Sequence, residues 1–125
     1  MNFEHTSEFK KELKRFGKKW PRLGDDLIIT QTVIATLYHG SNGLNPKHIR
    51  EMFFASKKGA VLQSVSETTE VIKMRVDSQD LNRDMLRIIY IRVADTIYFV
   101  EIFAKNEKAR EDKSRIKRYL KELSE

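Results

Sequence analysis

The sequence predicts an α+β fold, with an N-terminal helical hairpin packed on an antiparallel β-sheet and a further helix at the C-terminus. Three observations carry this prediction. Apolar residues recur at helical spacing as far as HGSNG, alternate with polar ones after Gly59, and return to helical spacing in SRIKRYLKEL. A chain of 125 residues that is 40% hydrophobic fits one domain around one core, and no repeat or low-complexity tract divides it.

The elements follow in order. Phe9, Leu13, Phe16 and Trp20 mark a helix from about Ser7 to Lys19. Thr6 and Ser7 offer a capping oxygen, Glu8 suits the positive end of the dipole, and Pro21 ends the helix. A second stripe, Leu23, Leu27, Val33, Ile34 and Leu37, runs to the turn chemistry of HGSNG, so two helices joined by WPRLG form the hairpin. Asn45 and Pro46 open a short third helix with Ile49, Met52 and Phe53 on one face.

AVLQSV, EVIKMRV, LRIIYIRV and TIYFVEIFA then read as strands separated by polar turns, the last two central because they are the most apolar. Ile116, Tyr119, Leu120 and Leu123 give the last helix its apolar face, and all helices are expected on one side of a curved sheet.

The net charge of +6 and a pI near 9.6 attract polyanions, admitting nucleic acid, a ribosome or an acidic protein as partner. The absence of cysteine removes disulfides, thiolate nucleophiles and Cys-ligated zinc. No signal-peptide pattern and no run of about 18 apolar residues occurs, so a soluble cytoplasmic protein with no membrane partner is expected.

His5, His39 and His48 lack the HxxxH spacing of a zinc site, and neither GxGxxG nor a Walker lysine motif is present, so no metal or nucleotide cofactor is expected. Asp25 and Asp26 offset a helix dipole and are read as structural.

The chemistry concentrates in IKMRVDSQDLNRDMLRIIY. Its period of two sends Ile72, Met74 and Val76 to one face and Lys73 and Arg75 to the other, where Arg87 of the next strand can join them. A half-exposed strand with a basic outer face has the same spacing. Tyr90, Tyr98, Met74 and Met85 are read as core, although tyrosines could stack on RNA bases.

EFKKELKRFGKKWP, IKMRV, RIIYI, YFVEIFAKNEK and SRIKRYLKEL, in this order, resemble the RelE/ParE superfamily of type II toxins, especially its RelE and HigB-like ribosome-dependent mRNA interferases. The resemblance covers most of the chain except an insertion around 38–70. It implies a small N-terminal strand at Asn2 to Glu4 before the hairpin, and a toxin that cuts mRNA in the ribosomal A site until a cognate antitoxin protein restrains it.

RNA carries its own nucleophile, the 2′-OH, so the protein need only move protons and stabilise the crowded phosphorane. The resemblance implies that Lys73 assists deprotonation of the 2′-OH, which a lysine does only where cationic neighbours or burial favour its neutral form. Arg75 and Arg87 would supply that field, with Arg87 also clamping the phosphate through its planar fork.

Lys105 would bind or protonate, and Glu107 would orient a cation or act as base, although ordinary turn polarity explains both as well. Arg83, Lys108, Arg110 and Lys113 are the expected RNA contacts, within a basic tail running from Lys108 to Arg118. Alternatives are a ParE-like DNA gyrase inhibitor and a non-catalytic RNA-binding or interaction module of the same fold.

Overall fold

The computed structural model describes residues 1–76 and 85–123. The order is β1 (Asn2–His5), α1 (Ser7–Lys19), α2 (Leu23–His39), α3 (Pro46–Ala55), β2 (Gly59–Ser64), β3 (Thr69–Val76), β4 (Leu86–Val93), β5 (Thr96–Ala104) and α4 (Lys113–Leu123). The fold is α+β, with four helices and a five-stranded sheet in the order β1-β5-β4-β3-β2. Among the described residues no helix is long and apolar enough to cross a membrane.

Two expectations need correction. The chain opens on β1, where the resemblance implies a small strand ahead of the hairpin, but the sheet is mixed rather than antiparallel, because β1 pairs with β5 in parallel while all other neighbours are antiparallel. A parallel partner needs a crossover, which the helices between β1 and β5 help to provide, and β1 covers the backbone edge that β5 would otherwise leave open.

The helices also do not share one side of the sheet. Phe9 and Phe16 of α1, Ile34 and Leu37 of α2, and Phe53 of α3 pack with Ile72, Met74 and Val76. On the other face Val71, Ile89, Ile91 and Phe103 form a second apolar cluster, and α4 covers it with Ile116. A sheet apolar on both faces needs cover on both. A bulge opposite Ile89 and Tyr90 leaves Val100 without a cross-strand partner, and Val100 joins the second cluster.

Local chemistry explains the helix ends. The Thr6 hydroxyl accepts from the Phe9 N–H at 3.4 Å and donates to the Phe99 carbonyl at 2.9 Å, so it caps α1 and ties it to β5. Asn45 accepts from the His48 N–H at 2.8 Å ahead of Pro46. Gly40 ends α2 at φ +80°, where a Cβ would press on the Leu44 carbonyl.

The segment 38–70 holds α3 and β2 and is locked to the sheet by a polar network. Arg50 clasps Glu70 through two bonds of 2.7 and 2.9 Å, Tyr38 donates to Glu70 at 2.6 Å, and the Tyr38 and Tyr90 hydroxyls lie 3.0 Å apart. Burial and the Glu70 carboxylate push the Tyr38 hydroxyl up.

Burial alone would raise Glu70, but the hydrogen bonds from Arg50 and Tyr38 outweigh it and hold the carboxyl below its ordinary 4.5. A depressed folded-state value stabilises the fold above the unfolded value, and that contribution is lost as pH falls through the folded one. Thermal melts should therefore show stability falling from about pH 4.5 downward, and Glu70→Gln should flatten that fall.

Candidate functional site

The strand register assembles the basic residues. Arg75 lies directly opposite Arg87, which lies opposite Phe103, while Lys73 lies opposite Ile89, which faces Glu101. The register thus brings the Arg75 and Arg87 side chains to one face of the sheet. Beside it opens a cleft of about 480 Å³, lined by Lys73, Arg75, Arg87 and Lys105 with the aromatic rings of Phe54 and Phe103. The cleft therefore joins the cations needed to hold a phosphate to rings on which a base can stack.

The four cations are held differently. Arg87 is only 6% exposed, and its guanidinium donates to the Leu86 carbonyl at 3.2 Å. Arg75 is exposed beside it. Lys105 is exposed as well, its backbone N–H fixed to the Met85 carbonyl at 2.7 Å just beyond the end of β5.

Lys73 Nζ donates to Glu111 Oε1 at 2.9 Å and lies 6.0 Å from the Phe103 ring centroid. Burial pushes the Glu111 carboxyl up, but the bond from Lys73 and the Lys73 and Lys113 charges prevail and hold it below its ordinary value.

Glu107 is not at the cleft. It faces Arg15 of α1 at 3.4 Å, because the chain turns sharply where the Glu107 and Lys108 amides bond back to the Ala104 carbonyl. Lys108 turns inward onto Glu101, a carboxylate with no exposure that also accepts from the Asp112 N–H at 2.8 Å. Lys108 is thus part of a clasp under the link from β5 to α4, where the sequence suggested an RNA contact.

Arg110 and Lys113 are exposed, as that reading requires, and Arg83 lies outside the described residues. Further along the basic tail, Arg115 bonds Glu12 at 2.8 Å and Arg118 pairs with Glu8, so α4 is tied to α1. Tyr119 donates to Glu8 at 3.0 Å and packs on the second cluster, its expected inward direction.

Several residues of the site escaped sequence reasoning, among them the rings of Phe54 and Phe103. Lys57 lines the cleft from the turn before β2. Glu101 left a visible signal, a lone acid in the apolar run TIYFVEIFA, whereas Glu111 sits in a polar segment that offers no pattern to single it out.

Comparison of the chain with protein-family models, curated proteins and solved structures finds no match.

Proposed function

We propose that the protein is the toxin of a type II toxin-antitoxin system, a RelE/HigB-like endoribonuclease that cuts translated mRNA on the ribosome. The observation that carries this reading is the convergence of Lys73, Arg75, Arg87 and Lys105 on one aromatic-lined cleft. The α+β layout, with β1, the α1 and α2 pair, the sheet and α4 in that order, is compatible in general with this reading.

In this reading a phosphodiester of single-stranded RNA enters the cleft. The Arg87 fork holds the non-bridging oxygens, Arg75 and Lys73 offset the charge that grows on the phosphorane, and Lys105 protonates the leaving 5′-oxygen. Exposed Arg110 and Lys113 meet ribosomal RNA or flanking phosphates through salt-sensitive attraction. The partner in the resting cell is an antitoxin whose acidic residues cover the same cations in the cytoplasm.

Induced expression tests the reading. The wild type is expected to arrest growth and leave new RNA 5′ ends inside codons of translated messages, and the double variant Lys73→Ala with Arg87→Ala to do neither. Cutting that persists without ribosomes, DNA damage with intact mRNA, or harmless overexpression would each overturn it, the second in favour of gyrase inhibition.

A further inference from the structure

The cleft has its cations, but a 2′-OH also needs a group with a free lone pair to take its proton. Lys73 spends its Nζ donating to Glu111. Glu107, the acid that sequence position suggests, faces Arg15 on α1. Glu111 stands in its place, with a side chain 11% exposed and one oxygen 2.9 Å from Lys73 Nζ.

The fold holds Glu111 there deliberately. Glu101, buried in the centre of β5, binds Lys108 on one side of Glu111 and the Asp112 backbone on the other. The link between those two points can swing little, so the carboxylate is held against Lys73 of the cleft from a neighbouring groove lined by Leu62, Lys113 and Lys117, Leu62 being common to both.

We propose that Glu111 is the general base of this site; the assignment rests on the cleavage reading above. The 2′-oxygen and the 3′-phosphate hang from adjacent carbons of one ribose, so a phosphate seated on Lys73 brings its own 2′-OH beside Glu111. Glu111 takes the 2′-OH proton as the O2′–P bond forms. The P–O5′ bond breaks, and the Lys105 ammonium gives its proton to O5′. A 2′,3′-cyclic phosphate and a 5′-hydroxyl result, and water returns the proton from Glu111 to Lys105. Lys73 orients the carboxylate and stabilises the phosphorane without changing protonation.

Single-turnover cutting of ribosome-bound message tests this. Glu111→Ala is expected to slow cutting by about 10²-fold or more, the usual worth of a positioned base. Added formate should restore the rate in proportion to its concentration, and Glu111→Asp should recover part of it, while the melting temperature falls only by the small amount that losing one ion pair with Lys73 costs.

A rate within threefold of wild type, a loss that formate does not touch, or a loss produced by Glu107→Gln instead overturns the assignment and leaves the cleavage reading standing. A wild type that never cuts overturns both.

Discussion

Arg87→Lys should cut ribosome-bound message about 10²- to 10³-fold more slowly than the wild type, the range seen when one preorganised donor to a developing oxyanion is lost. The charge survives this substitution and the fork does not. A guanidinium grips two phosphate oxygens in fixed geometry, while an ammonium offers one mobile point of charge. The effect is expected to be large because Arg87 is 6% exposed and aimed by its bond to the Leu86 carbonyl, so the geometry is built in.

Arg75→Lys, at the exposed member of the opposed pair, keeps the charge and with it the field, so it should cost about tenfold or less. Equal losses at the two positions would mean that both guanidinium forks, and not that of Arg87 alone, grip the phosphate. A rate for Arg87→Lys within threefold of wild type would remove Arg87 from the site.

Glu101→Ala is expected to destabilise the fold by about 3 kcal/mol, the low end for breaking a buried ion pair, since Lys108 is 41% exposed and can return to water. For a chain of this length that is a fall in Tm of roughly 10 °C or more. The Asp112 N–H loses its acceptor at the same time, which loosens the start of α4.

Glu101→Leu fills the space with apolar volume and should recover part of the Tm, yet it cannot hold Lys108 or Asp112. Cleavage should therefore stay low in a protein that has regained stability. Melting and cleavage that recovered together would show the clasp to be structural only.

The two-residue period of EVIKMRV gave both faces of β3 from the sequence, and the capping oxygens of Thr6 and Asn45 fixed the starts of α1 and α3, because these depend on neighbours along the chain. What remained hidden depends on distant partners. The apolar stripe of α4 states that one face is buried but not which side of the sheet buries it. β1 is four residues, NFEH, whose parallel pairing is set by an open edge of β5 far along the chain.

Glu107 and Glu111 show the same limit at the site. Both are acids in one polar segment, and only the turn at Ala104 and the grip of Glu101 decide which of them meets Lys73.

The pairing of β1 with β5 also bears on when the protein can fold. Thr6 bonds the carbonyl of Phe99, 93 residues later, and Phe9 stacks on the Phe99 ring at 5.2 Å. Contacts of such sequence separation close late and slow folding. The N-terminal segment must therefore wait, during synthesis, for β5 to leave the ribosome before it finds its place. The cleft, which needs β3, β4, β5 and Lys105, is completed at the same stage, so a nascent chain that has not yet released β5 carries no assembled basic site.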